Sequence, residues 1–221
     1  MKKIIFLLTM IILGSVACHA QLNDEGEIGW VLNPDRKRIS FHFITNKESF
    51  PEFISIQGSP RTDPCYLPIN KVTAFRKFLK HLIKMAEKLE KSAVANDLEN
   101  SEQEIPGNGP DVWMQWIKNK NTPGQIEYEG WDTLQGKWEY IKKNGKNGGS
   151  FLLISALVKS EKDDNETCQF KMWMSLETAN FIVKKLLSSA EVDKWINYHV
   201  NRIEDKQRHM IDLYNSRFLP F

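Results

Sequence analysis

Ser150-Phe151-Leu152-Leu153-Ile154-Ser155-Ala156-Leu157-Val158 decides the fold. The run is short, almost wholly apolar and set between a glycine-rich loop and an acidic turn. It therefore reads as a β-strand, apolar enough to lie centrally in a sheet with both faces covered. Upstream, Lys137-Trp138-Glu139-Tyr140-Ile141 and the loop Lys142–Gly149 complete a hairpin with it. Downstream, past the acidic turn 161–166, comes the strand Cys168-Gln169-Phe170-Lys171-Met172-Trp173-Met174. Its alternation sets Met172 and Met174 on one face, with Lys171 and Trp173 on the other. A helix then starts near Ser175 with Ala179, Ile182, Val183 and Leu186 at helical spacing. Ser188 and Glu191 have capping-box spacing and restart a long C-terminal helix carrying Val192, Trp195, Ile196, Val200, Ile203 and Met210.

The first part of the chain repeats this order. Residues 21–28 are polar and read as a loose arm. Trp30-Val31-Leu32, the turn Asn33-Pro34-Asp35 and Arg38–Ile44 form a hairpin, followed by strands at Phe53–Ile56 and Cys65–Leu67. Asn70 can cap a helix over about 71–93, with Val72, Phe75, Leu79, Leu82, Ala86 and Leu89 inward and a lysine-rich face outward. Residues 96–110 have the acidic, Gly/Pro-rich composition of a linker. The stretch Val112–Ile117 can be helix or strand. Trp30 and Trp138, Cys65 and Cys168, and Phe75 and Phe181 stand at offsets of 103 to 108 residues, as an old duplication would leave them.

The expected fold is α+β, with antiparallel sheet packed against helices: two related β-β-β-α halves and a long C-terminal helix. The divisions are a signal peptide over 1–20, a first half over 21–95, a linker over 96–111 and a second half over 112–221. Tryptophans 30, 138 and 195 are expected in the core or the helix–sheet seam.

Met1-Lys2-Lys3, the apolar run Ile4–Leu13 and the small residues Gly14–Ala20 have the three parts of a secretory signal peptide. Cleavage after Ala20 is one reading. A lipobox at Ser15-Val16-Ala17-Cys18, with an acyl anchor on Cys18, is the other. Either predicts export, and the Lys-Lys start has a bacterial look, so the expected address is periplasm, cell surface or medium. No later stretch approaches the roughly 20 apolar residues a membrane-spanning helix needs.

Among 221 residues, 41% are hydrophobic and 26% charged, an ordinary globular balance. Losing Lys2 and Lys3 with the first twenty residues leaves 28 basic against 28 acidic side chains. A nucleic-acid binder needs a basic surplus to displace counterions, and none remains. Cys65 and Cys168 would be the two remaining cysteines, readable as one disulfide or as two separate buried thiols.

No cofactor, metal or nucleotide motif stands out. Asp205, His209 and Asp212 share a helix stripe that could hold a divalent cation, although Arg202 and Arg208 make a solvated ion-pair face the plainer reading. Gly148-Gly149-Ser150 matches neither a nucleophile elbow nor a phosphate loop. Seven tryptophans form the one feature above background. Trp113, Trp116, Trp131 and Trp173 are the candidate ligand platform, since an indole on a polar strand face can stack on a sugar ring or anchor a partner. The expected function is a non-catalytic binding or interaction module for a glycan or an envelope protein. Its alternative is a secreted hydrolase using His42 or His209 with a nearby carboxylate.

Overall fold

The computed structural model describes residues 22–46, 51–58, 62–116, 128–142, 149–159 and 167–218. The stretch 1–20 expected as a signal peptide, including Cys18, lies outside them, as do residues 143–148 and 161–166, expected as a loop and an acidic turn. The strands are β1 (Asn23–Leu32), β2 (Arg38–Thr45), β3 (Pro51–Gln57), β4 (Cys65–Pro68), β5 (Asn100–Glu104), β6 (Asp111–Trp116), β7 (Tyr128–Thr133), β8 (Gln135–Ile141), β9 (Gly149–Lys159) and β10 (Thr167–Ser175). The helices are α1 (Val72–Ala95), α2 (Leu176–Phe181) with a π-helical turn (Ile182–Leu186) after it, and α3 (Ser189–Phe218). The class is α+β with antiparallel pairing throughout.

One sheet has the order β1-β2-β3-β4-β6-β7 and the other β10-β9-β8-β5. The second half of the chain thus supplies two strands to the first sheet, so the sheets do not coincide with the two expected units. The link is a bent two-stranded ribbon. β6 pairs β7 in the first sheet, and β5 pairs β8 in the second. At the bend, Ile105 N–H donates to Gly136 O at 2.9 Å, Gly109 N–H to Leu134 O at 2.8 Å and Leu134 N–H to Pro110 O at 3.2 Å.

The sheets meet again along two seams. At one, Asp63 N–H donates to Gln169 O at 3.0 Å, Gln169 N–H returns to Asp63 Oδ2 at 3.1 Å, and the Cys168 thiol donates to Gln115 O at 3.5 Å. At the other, Leu157 N–H donates to Asp132 Oδ2 at 2.6 Å. A single apolar core fills the space between, with Phe41, Ile56, Cys65, Met114, Phe170 and Met172 fully buried.

Helix α1 buries Val72, Phe75, Phe78, Leu79, Leu82, Ile83 and Ala86 against β8 and β9. Each large side chain among them contributes about 1.5–3 kcal/mol. Gly136 admits this helix: a Cβ there would lie 2.4 Å from Leu82 Cδ2. Ser175 Oγ caps α2 by accepting Thr178 N–H at 3.1 Å, and Ser188 Oγ accepts Glu191 N–H at 3.3 Å where α3 begins, as the spacing predicts. Helix α3 closes the β1–β2 end of the first sheet. Trp195 stacks on Phe43 at 5.6 Å, His199 stacks on the same Phe43 ring at 4.9 Å, and Arg202 donates to Glu25 Oε2 at 3.2 Å.

Five expectations are corrected. The arm 21–28 is largely strand, because β1 begins at Asn23 and carries two bulges that suit an edge. The linker 96–111 holds β5, where charged residues pair with β8, and Ile105, which enters the core. Asn70 does not cap α1; a 3₁₀ turn, Ile69–Lys71, leads into it without a side-chain cap. β9 is central but buried on one face only, since Leu157 on the other is exposed. Trp30 is 50% exposed rather than core, its ring covered by Arg38 with Cζ 5.3 Å from the centroid.

Candidate functional site

The inner face of the first sheet carries the fully buried row Phe41, Ile56, Cys65 and Met114, one residue per strand from β2 to β6. One residue along each strand, the opposite face carries another row in direct register: Glu27, His42, Ser55, Tyr66, Trp113 and Trp131. Strict alternation sends these side chains away from the core. The first five are half-buried, and Trp131 is 58% exposed.

The row is aromatic at one end and ionic at the other. Tyr66 and Trp113 meet at 5.3 Å between centroids, and Phe53 stacks on Trp113 at 5.7 Å with an interplanar angle of 23°. Trp113 stands opposite Trp131 on β7. At the far end Asp24 Oδ2 lies 2.9 Å from His42 Nδ1, close but off the line of a hydrogen bond. Glu27 Oε2 lies 3.9 Å from His42 Nε2 and also pairs with Arg38. Burial raises the Tyr66 hydroxyl above its ordinary pKa, helped by Cys65, Asp24 and Cys168, so Tyr66 presents a neutral O–H at physiological pH.

An aromatic patch, with Tyr66 tilted 52° from Trp113, beside a carboxylate–imidazole cluster suits a ligand with one apolar face and hydroxyls at its edge. The two carboxylates flank different nitrogens of His42, so they share no point at which a cation could sit. Among the described residues no three His, Cys, Asp or Glu side chains could hold a metal ion. Asp205 pairs instead with Arg208 at 3.6 Å, and His209 is exposed; the Asp212 side chain lies outside the described residues.

Two of the four candidate tryptophans, Trp113 and Trp131, are therefore brought together. Trp116 lies in β6 opposite Tyr128, with its side chain outside the described residues. Trp173 is on the outer face of the second sheet, against Phe151 at 5.0 Å, and takes no part in the row. The spacing of the tryptophans does not point to Tyr66 and Phe53. Alternation along Phe53–Ile56 and Cys65–Leu67 sets both opposite the core, but only the long-range β4–β6 register seats them beside Trp113. Cys65 and Cys168 are buried free thiols, so the unbridged expectation describes this structure and the disulfide does not. Each lies on the core face of a different sheet. Burial, then the nearby Cys168, raises Cys65; burial, then Asp63, raises Cys168, so neither is a ready nucleophile.

Comparison of the chain with protein-family models, with curated proteins and with solved structures gives no match.

Proposed function

We propose that the chain is an exported, non-catalytic binding module whose ligand is a neutral glycan laid across the strands over Tyr66, Trp113 and Trp131. The observation that carries this reading is the direct-register row itself, which puts exposed or half-exposed ring faces beside polar groups on one side of a sheet. Export, to the periplasm or surface of a bacterium, rests on the signal-like Met1–Ala20, with acylation of Cys18 as the variant form. Two successive strand runs, each ending in a helix, support an origin by duplication.

The test is tryptophan-fluorescence titration with neutral oligosaccharides of increasing length. Trp113→Ala and Trp131→Ala are each expected to weaken binding roughly tenfold, about 1.4 kcal/mol, with unchanged far-UV circular dichroism. No saturable response from any of them would overturn the glycan assignment, and binding to an isolated envelope protein would then replace it.

One observation favours a hydrolase as the second reading: the Asp24–His42 contact, with Ser55 opposite His42 on β3. Against it, β3 is paired on both sides, so the peptide groups around Ser55 are engaged in the ladder and offer no oxyanion donors. Turnover of a chromogenic ester or glycoside that His42→Ala abolishes would favour this reading over the first.

A further inference from the structure

Helix α1 carries a second feature, remote from the aromatic row in sequence and built on a different element. Lys77, Lys80, His81, Lys84, Lys88 and Lys91 are all exposed. At helical spacing they fall within an arc of about 100°, and successive lysines are about 4.5 to 6 Å apart along the axis. No acidic residue falls in that arc, since Glu87 and Glu90 lie to one side of it. None of the five lysines has an ion-pair or hydrogen-bond partner among the described residues. Like charges at i, i+4 oppose helix formation, so an unpaired stripe of this length weakens the helix that bears it. It also concentrates positive charge in a chain whose basic and acidic residues nearly cancel.

The stripe runs beside a groove of about 550 Å³ between the first turns of α1 and the loop Pro106–Pro110, lined by Lys71, Lys77, His81 and Asn108. The groove wall is fixed. His81 Nε2 lies 2.9 Å from Pro106 O, and donating its proton there leaves Nδ1 as the free ring nitrogen. Gly109 brings the loop against the helix: a Cβ would lie 2.8 Å from Leu134 Cβ and 2.9 Å from the Phe78 ring.

We infer that this stripe and groove bind a linear acidic polysaccharide, one carrying a carboxylate or sulfate on each sugar ring. A narrow band of cations, stepped along the helix axis at about the length of one pyranose ring, matches a chain with one charge per ring. A lipid surface fits less well. An interfacial helix must sink its apolar face into the membrane, and the apolar face of α1 is spent on the core. A nucleic acid also fits less well. Single-strand recognition interleaves large aromatic stacking platforms with cations, and no Phe, Tyr or Trp lies in the arc.

The site is independent of the aromatic row, and its test keeps the two apart. The full chain is titrated with a polygalacturonate oligomer at several salt concentrations. Saturable binding is expected, with log K falling linearly against log salt. A Lys77→Ala/Lys84→Ala/Lys88→Ala variant removes exposed charges and gains helix propensity, so it folds. It is expected to bind at least tenfold more weakly and to reduce the magnitude of the salt slope by about 2. The Trp113→Ala/Trp131→Ala variant is expected to bind as the parent does. Unchanged binding by the triple-lysine variant, loss of binding in the tryptophan variant, or no binding at all would each overturn the proposal. So would tighter binding, at equal salt, to single-stranded RNA or to phosphatidylglycerol vesicles.

Discussion

His199 packs beside Trp195 against the ring of Phe43, with only 2% of its side chain exposed. The charged and titratable groups around it are Glu25 from β1, with Oε2 4.0 Å from Nδ1, and Tyr198 and Arg202 from its own helix; β2 presents Phe43 and Thr45. Burial holds the imidazole below its ordinary pKa of 6.5, with Arg202 adding to the effect and Glu25 opposing it. As pH falls, the unfolded chain takes up this proton before the folded one does. The contribution of neutral His199 is therefore complete above the unfolded value of about 6.5, and is lost as pH drops from there through the lowered folded value. In thermal melts between about pH 8 and about pH 5, the parent should lose Tm relative to His199→Phe, which keeps the stack and cannot titrate. Parallel curves would show that His199 carries none of the dependence. Helical spacing alone puts Trp195 and His199 on one side of a helix, but it does not indicate that Phe43, across most of the chain, lies beneath them.

At the scale of elements, the strands with one buried face were legible in the sequence, and so were the serine caps of α2 and α3. Alternation in Arg38–Ile44, Phe53–Ile56 and Cys168–Met174 is the direct imprint of a core on one side. The start of β1 and all of β5 left no such imprint. They lie at sheet edges, polar on both faces, and are held by pairing; the charges that disguise them also blunt a free edge against intermolecular pairing. Half of the candidate row was legible, as His42, Trp113 and Trp131. The rest depends on pairing β4 with β6 across the whole of α1, which no local pattern encodes. The seam between the end of β3 and β10 gives a sharper test of how these elements meet. A Cβ on Gly58 would lie 2.1 Å from Lys171 O, a backbone atom that cannot step aside, whereas one on Gly29 meets only the Cδ1 of Leu186, at 2.5 Å. Gly58→Ala is expected to cost about 3 kcal/mol in denaturant unfolding, and Gly29→Ala about 1 kcal/mol. Equal losses at the two sites would contradict this packing.

For the whole molecule, the bent ribbon governs cooperativity. Because β6 and β7 complete the first sheet while β5 and β8 belong to the second, cutting after Ala95 leaves β4 as an open edge and bares the apolar side of α1. A chain of residues 21–95 is therefore expected to lack a cooperative thermal transition, and the full chain to unfold in one. A sharp two-state melt of the fragment would show instead that this stretch is a domain in its own right. The contact between α3 and the β1–β2 end also has a consequence in time. A ribosome makes β2 long before α3, yet Phe43 is sealed from water only when Trp195 and His199 arrive. Until that helix emerges, the nascent chain has no means of shutting that end of the sheet, and its apolar surface there stays open to association with other chains.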